Sequence, residues 1–349
     1  MYTYIITNSE NSGQPATQYV SGFSGSDSTL ILATEKPLNE VDALLSMEWG
    51  KLLVDGRYWE QAENEIQMSK PKYQIKSKIQ IIKIHKDNTS KQAVNEILKQ
   101  NSIDEISIDS RITSYASVLA LQEQGLKIVP SPDIFQSVRE IKNENEIKKI
   151  RRAQKIALEA FDVVRHEIKI GVSESYIAAR LEFLMKQGGA EKTSFETIVA
   201  SGVNSALPHA RSSDKKIEST DSVIIDFGAI YQGYCSDFTR TILMPKASAQ
   251  LHEIYTVVEV AQQKALEIAK LGVQSREVDL AARNYIETQG YGKFFTHSTG
   301  HGVGMAVHEL PHVSWNSETV LRKGHVITVE PGIYISGVGG VRLEEMVII

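Results

Sequence analysis

The sequence predicts a two-domain protein in which an α/β domain precedes a larger α+β domain built from an internal repeat. Three observations lead to this fold class. The chain has 349 residues, more than one ordinary hydrophobic core accommodates. Its first part alternates short β-branched runs with helical stretches. Its second part contains two similar segments that lie 101 to 103 residues apart.

The first domain is expected over residues 1–135. Short apolar runs at 30–32, 51–54, 81–84 and 106–108 predict strands, and helical patterns at 91–100 and 115–124 separate some of them. Strands that alternate with helices are typical of an α/β fold. Pro130 and Pro132 then disfavour any continuing helix and predict a linker, which places the boundary near residue 136.

The second domain, residues 136–349, contains the repeat. The stretches 169–172 and 270–273 each precede a predicted helix that contains Ala-Ala-Arg and ends at Gln-Gly. Each of these helices also follows a longer helix and leads into strand-like sequence. Two copies of such a unit are expected to pack around a pseudo-two-fold axis, with a site between them. Chance is the alternative, because glycine after a helix and Ala-Ala-Arg within one are both common.

Composition limits the class of protein. Lys and Arg number 38 against 43 Asp and Glu, for a net charge of -5, which gives no electrostatic case for nucleic acid or an anionic membrane. No apolar stretch approaches the roughly 20 residues of a membrane span. The single cysteine, Cys235, fits a reducing compartment. We therefore expect a cytoplasmic protein.

Two aspartates flank a predicted β-hairpin. Asp226 follows three β-branched residues, and Asp237 precedes another strand-like run, with Gly233 between them. A turn centred on Tyr231 and Gln232 would place the two carboxylates opposite each other, with Cβ atoms about 5 Å apart. Like charges in that position are unfavourable unless a cation lies between them. The alternative is two unrelated turn aspartates.

Four of the nine histidines lie in one glycine-rich stretch of sixteen residues; they are His297, His301, His308 and His312. The glycines prevent a helix and let the backbone approach another group closely. Neutral imidazole is the commonest nitrogen ligand of transition metals. A lone histidine is more often structural, so it is the clustering that favours a functional site.

Two further acids lie in strand-like sequence. Glu330 ends the apolar run 326–329, and Glu344 lies within the run 340–349. Alternation places Arg342 and Glu344 on one face and Glu345 on the other. An acid in a buried strand costs several kcal/mol unless it is paired or bound to a metal. A salt bridge between Arg342 and Glu344 is the alternative.

Together these residues form a set of four carboxylates and one imidazole. Such a set suits two divalent ions such as Mn²⁺, with Co²⁺ or Zn²⁺ also compatible. A zinc cage of cysteines and histidines is excluded, since the chain has one cysteine.

With these motifs in this order, the sequence resembles the M24 metallopeptidases, the pita-bread family that includes methionine aminopeptidase, Xaa-Pro aminopeptidase, Xaa-Pro dipeptidase and creatinase. The resemblance covers nearly the whole chain. It implies a creatinase-like α/β domain over 1–135 and a pita-bread catalytic domain with α+β architecture and an internal pseudo-two-fold repeat over 136–349. It also implies a homodimer.

The resemblance assigns roles to individual residues. It implies that a dinuclear centre is held by Asp226, Asp237, His301, Glu330 and Glu344. Of these, Asp237 and Glu344 would bridge the two ions. It implies catalytic roles for His209, His308 and Glu330. It implies substrate contacts from His297, Tyr334 and Arg342.

The implied reaction is hydrolysis of the peptide bond that precedes proline. Segments 201–215 and 233–241 are more similar to bacterial Xaa-Pro aminopeptidases than to lactic prolidases, so release of the N-terminal residue from Xaa-Pro peptides is the first expectation. A dipeptidase restricted to Xaa-Pro is the alternative. A creatinase-type hydrolase without metals and a non-catalytic peptide-binding module are both opposed by the complete ligand set.

Overall fold

The computed structural model describes residues 1–8, 14–38, 43–68, 78–131 and 135–349. They form two compact units, Met1–Arg139 and Glu140–Ile349. The sequence predicts a domain limit four residues earlier, and that limit stays a prediction. Of the two linker prolines, Pro130 ends a strand, whereas Pro132 lies outside the described residues. Within the part that the structure describes, no helix is long and apolar enough to cross a membrane.

The N-terminal unit is an α/β domain around one six-stranded sheet. Its strands are β1 (Tyr2–Asn8), β2 (Ser28–Thr34), β3 (Met47–Val54), β4 (Ile79–Lys83), β5 (Glu105–Ile108) and β6 (Lys127–Pro130). Its helices are α1 (Gln14–Ser21), α2 (Trp59–Met68), α3 (Ser90–Gln100), α4 (Tyr115–Gln122) and the single turn α5 (Ser137–Glu140), which reaches the boundary. The strand order is β4-β3-β2-β1-β5-β6. Every residue of β2 is buried, as expected of a strand covered on both faces.

The C-terminal unit is an α+β domain. Its helices are α6 (Glu144–Val164), α7 (Glu174–Gln187), α8 (Ala249–Ile268) and α9 (Ser275–Thr288). Its strands are β7 (Lys192–Thr193), β8 (Ile198–Ser201), β9 (Ser222–Phe227), β10 (Ala229–Tyr231), β11 (Tyr234–Cys235), β12 (Phe238–Leu243), β13 (Gly300–Gly302), β14 (Glu309–Val313), β15 (Val326–Val329), β16 (Gly332–Ile335), β17 (Gly339–Arg342) and β18 (Glu345–Ile348). Its sheets are ordered β11-β10-β7, β12-β9-β8, β14-β13-β15-β18 and β16-β17.

The internal repeat is confirmed. In each half a long helix is followed by a 14-residue helix, α7 or α9, and then by three paired strands, β8-β9-β12 or β13-β15-β18. The connection into the shorter helix is the same in both halves: Gly171 and Gly272 each have φ of 86°. The amide of Gly171 donates to Ile217 O, and that of Gly272 donates to Leu321 O.

Strand alternation decides where the acids point. In β9, Val223 and Ile225 are buried in the core that α6 and α7 cover, so Asp226 faces the other side of the sheet. In β15, Ile327 and Val329 are buried in the core that α8 and α9 cover. Both helical layers therefore cover the apolar faces, and the polar side chains of the two sheets point away from them.

The hairpin register differs from the prediction. The turn is centred on Gln232 and Gly233, whose φ values of 47° and 77° fit the type I′ turn that joins two-residue hairpins. Asp226 therefore pairs with Thr239, and Asp237 lies two residues away on the diagonal. A shift of two residues keeps a side chain on its face of the sheet, so both carboxylates still point the same way.

The C-terminal run is also two strands and not one. β17 ends at Arg342 and pairs with β16, whereas β18 begins at Glu345 and pairs with β15. Glu344 lies at the break between them, and the amide of Glu344 donates to Thr239 O at 3.0 Å. The alternative of a salt bridge between Arg342 and Glu344 is wrong, since the guanidinium of Arg342 contacts Asp226 instead.

Candidate metal centre

Each half of the C-terminal unit contributes two carboxylates from the ends of its strands. Asp226 is the penultimate residue of β9, and Glu330 follows the last residue of β15. Asp237 immediately precedes β12, and Glu344 immediately precedes β18. Asp226 stays in the ladder opposite Thr239, whereas the other three acids lie just outside their strands. All four side chains can turn toward the space between the two halves.

The fifth residue, His301, is the centre of the short strand β13. Ligand atoms of His301, Asp237 and Glu344 all lie within 4.8 Å of one another. The Nε2 atom of His301 is 3.2 Å from Glu330 Oε1 and 3.6 Å from Asp237 Oδ2. The structure therefore brings together the imidazole and carboxylates that the sequence predicts as ligands.

Threonines of the same strands orient these groups. Thr239 donates to Glu344 Oε2 at 2.8 Å and accepts from Arg342 Nε at 3.1 Å. Thr328 donates to Glu330 Oε1 at 3.2 Å and accepts from the backbone amide of His301 at 3.1 Å. Hydrogen bonds of this kind fix the direction of a ligand before an ion binds.

Without a cation the carboxylates repel one another. Burial, followed by the charges of neighbouring carboxylates, raises the pKa of Asp237 and of Glu344 well above the ordinary value. Burial also raises the pKa of Asp226, although the charge of Arg342 opposes this. For Glu330, burial is outweighed by the hydrogen bond and charge of His301, which lower its pKa to about 2.

The donor set fits divalent metal ions. Two buried carboxylate oxygens, Asp226 Oδ1 and Glu344 Oε1, have no hydrogen-bond partner among the described residues. Most buried polar atoms in folded proteins have a hydrogen-bond partner, so two unpartnered carboxylate oxygens in one cluster favour a bound cation. Bound cations would supply it and would remove the repulsion within the cluster. The set of carboxylate oxygens and one imidazole excludes none of Mn²⁺, Co²⁺ and Zn²⁺.

Arg342 occupies a structural position beside the cluster. Its guanidinium donates to Asp226 Oδ2 at 2.7 Å, to the Tyr334 hydroxyl at 2.8 Å and to Pro208 O at 3.1 Å. Nε2 of His297 lies 2.9 Å from the same tyrosine hydroxyl. Tyr334 is thus buried behind His297 and Arg342 and does not line the cavity above the cluster.

A cavity of about 580 Å³ opens over the cluster. Its walls include all five predicted ligands together with the predicted His209, His297, His308 and Arg342. The rings of His308 and His301 are in contact, with centroids 4.3 Å apart. Burial, followed by the charge of His301, lowers the pKa of His308. Burial also lowers the pKa of His297, so both imidazoles are neutral near pH 7.

Sequence reasoning missed part of this wall. The additional lining residues are Phe195, Glu196, Thr197, Ile198, Pro208, Ala210, Arg211, Ser298, Gly300 and His312. His312 belongs to the histidine cluster but had no role in the sequence prediction. Residues 195–198 and 210–211 follow no periodic or metal-ligand pattern, so no signal in one sequence would have selected them.

The fold and the site define a two-domain protein with a carboxylate-rich centre for divalent metals beneath a substrate-sized cavity. Residues 148–349 match the model of metallopeptidase family M24, and residues 4–141 match the creatinase/prolidase N-terminal domain. The chain belongs to metallopeptidase family M24.

Three relatives illustrate the similarity. The chain is 52% identical to an Xaa-Pro dipeptidase of Pyrococcus horikoshii over 217 residues, which cover 62% of either chain. It superposes on an Xaa-Pro dipeptidase from Bacillus anthracis with a TM-score of 0.87 and 36% identity, over 99% of this chain and 90% of that one. For an X-Pro aminopeptidase from Thermotoga maritima the TM-score is 0.85 and the identity 35%, over 100% and 91% of the two chains.

Proposed function

We propose that this metallopeptidase is an Xaa-Pro dipeptidase that requires two divalent ions. The cluster of four carboxylates and His301 beneath one cavity carries the proposal, because it offers ligands for more than one cation. Two of the three relatives above have the name Xaa-Pro dipeptidase, which favours a dipeptidase over the aminopeptidase that the sequence first suggests. The ions would be held by Asp226, Asp237, His301, Glu330 and Glu344, with Mn²⁺ the first candidate.

A positive charge in the cavity wall also supports a dipeptide substrate. Arg211 lines the cavity, is exposed, and lies in the segment that contains His209. Arg342 is less available, because its guanidinium is engaged by Asp226, Tyr334 and Pro208. The C-terminal carboxylate of an Xaa-Pro dipeptide can pair with Arg211, whereas the middle residue of a longer peptide has no such group.

Bound divalent ions would polarise the scissile carbonyl and lower the pKa of water. The residues of the chain would do the rest. Neutral His308 can donate a hydrogen bond to the developing oxyanion, and His209 can hydrogen-bond near the scissile nitrogen. Glu330, ionised across the neutral range, can accept a proton and pass it to the prolyl nitrogen, which has none of its own. The cavity must recognise the proline ring by shape.

Product analysis tests this function. We expect the Mn²⁺-loaded protein to release proline from Xaa-Pro dipeptides, to act at least about tenfold more slowly on Xaa-Pro-Yaa, and to leave Xaa-Ala intact. Comparable kcat/KM on dipeptide and tripeptide would favour the aminopeptidase instead.

A ligand variant tests the requirement for metal. Asp237→Ala should lose both metal binding, measured by elemental analysis, and activity. Full turnover by this variant without metal would overturn the proposed site. The homodimer stays a prediction, which light scattering of the purified protein can test.

A further inference from the structure

Glu174 is a fully buried carboxylate outside the metal cluster. It is the first residue of α7, and its exposed fraction is 0%. Its two oxygens accept hydrogen bonds from three residues of a distant segment, and the donors are Ser201 N (2.7 Å), Ser201 Oγ (2.8 Å), Asn204 Nδ2 (3.1 Å), Ser213 N (3.1 Å) and Ser213 Oγ (2.7 Å). Such a number of donors balances the cost of burying the charge.

Two of these donor residues, Ser201 and Ser213, flank one loop, and Asn204 lies near its start. Ser201 is the last residue of β8, and Ser213 follows the loop formed by residues 202–212. Part of this loop, from Pro208 to Arg211, forms one wall of the catalytic cavity and includes His209. Glu174 therefore holds the two ends of the loop together. The side of the loop that faces the cavity is held separately, since Arg342 donates to Pro208 O at 3.1 Å.

The second half of the repeat contains a comparable contact. Asp279 lies on α9, the helix that corresponds to α7, and is also 0% exposed. Its Oδ1 accepts from Thr299 N at 2.9 Å and Thr299 Oγ1 at 2.8 Å. Arg283, paired with Asp279 at 2.8 Å, donates to His297 O at 2.8 Å. In both halves a buried carboxylate on the second helix holds a segment that presents a histidine to the cavity.

A role in stability alone explains this arrangement poorly. An apolar side chain would fill the same volume without the desolvation cost of a charge. Each carboxylate instead accepts from backbone amides, which a hydrophobic residue cannot replace, and each does so where the segment carries a histidine of the cavity wall. We infer that Glu174 is a positioning residue that fixes His209 toward the substrate, and that Asp279 acts in the same way on His297.

Kinetics of a double-mutant cycle test the inference, and this part rests on the proposed function. Glu174→Gln places an amide N–H₂ against donors, so it should lower kcat on Xaa-Pro by about tenfold or more with KM changed less than about threefold. In a His209→Ala background the same substitution should cost less than about twofold, because the residue it positions is gone. The matched control is Glu182→Gln on the same helix, which should leave kcat unchanged. Equal losses in both backgrounds would overturn the inference.

Hydrogen exchange supplies a readout that needs no activity. In the metal-free protein, Glu174→Gln should speed exchange of amides in 202–212, and Glu182→Gln should not. If Glu174→Gln does not fold, Ser213→Ala removes a single donor and should show the same effect more weakly. Unchanged exchange in a folded variant refutes the positioning role. Accelerated exchange in a protein that hydrolyses no Xaa-Pro peptide would refute the proposed function and leave the loop contact intact.

Discussion

Replacing Lys142 with methionine should destabilise the C-terminal unit by about 3–5 kcal/mol, because it removes the cation of a buried ion pair. Lys142 Nζ lies 2.7 Å from Glu309 Oε1, and each side chain is 1% exposed. In the variant, Glu309 keeps the hydrogen bond from the amide of Ala306 at 3.3 Å. It loses the positive charge of Lys142, however, in an environment that water does not reach. Methionine fills a similar volume, so a packing void contributes little to the expected loss.

The assay is thermal and urea unfolding of the full chain. The expected loss corresponds to a fall in Tm of about 6–20 °C for a unit of this size. A double variant, Lys142→Met with Glu309→Leu, should recover most of the stability, since an apolar pair avoids desolvation altogether. The surface control is Lys155→Met, which removes a 3.7 Å pair with Glu159 whose side chains are 64% and 60% exposed, and it should change stability by less than about 1 kcal/mol. If Lys142→Met cost no more stability than this control, the buried pair would contribute no more than an exposed one, which would refute the expected destabilisation.

Three further outcomes follow from individual contacts. In the presence of EDTA, Asp237→Asn should be more stable than the parent protein, and the difference should grow from pH 5 to pH 8. Burial raises the pKa of Asp237, so ionisation of this carboxyl destabilises the folded parent increasingly as the pH rises. A pH-independent difference in melting temperature would contradict this. Gln232→Asn should raise the free energy of unfolding by about 0.5–1 kcal/mol, measured in urea, because asparagine tolerates the φ of 47° better than glutamine. Thr239→Val should weaken metal binding, measured by calorimetry, about 10–100-fold, since the hydroxyl that holds Glu344 is lost. The control is Thr241→Val, which should bind metal normally, because the Thr241 hydroxyl contacts the backbone of Arg342.

The sequence was sufficient for the architecture because its signals are local. The β-branched runs of the first domain became strands of one sheet, and the repeated glycines at 171 and 272 took the same conformation in both halves. The ligand candidates were found for a similar reason. An acid at the end of an apolar run has no ordinary role there, so Asp226 and Glu330 are conspicuous without any knowledge of their partners.

Contacts between distant segments were not predictable in this way. The hairpin register depended on which two residues adopt positive φ, and the glycine of the turn indicated Gln232 and Gly233 better than the symmetry of the flanking strands did. Glu174 and Lys142 carry no pattern at all. Each is a charged residue near a helix start, which in sequence resembles a solvated helix terminus, and only the fold shows that its side chain is buried.

The duplication explains the four carboxylates but not the asymmetry of the centre, and that asymmetry has an identifiable origin. Ser201 pairs with Val223 in the first half as Gly302 pairs with Ile327 in the second. The preceding residues are Ala200 and His301, so one half places a methyl group where the other places an imidazole. Because His301 contacts Glu330 at 3.2 Å, the pKa of Glu330 is lowered. Burial raises the pKa of Asp226, its counterpart in the first half. Replacing His301 with alanine would therefore remove this difference between the two halves, and we expect the two metal affinities, measured by calorimetry, to become more alike than in the parent protein.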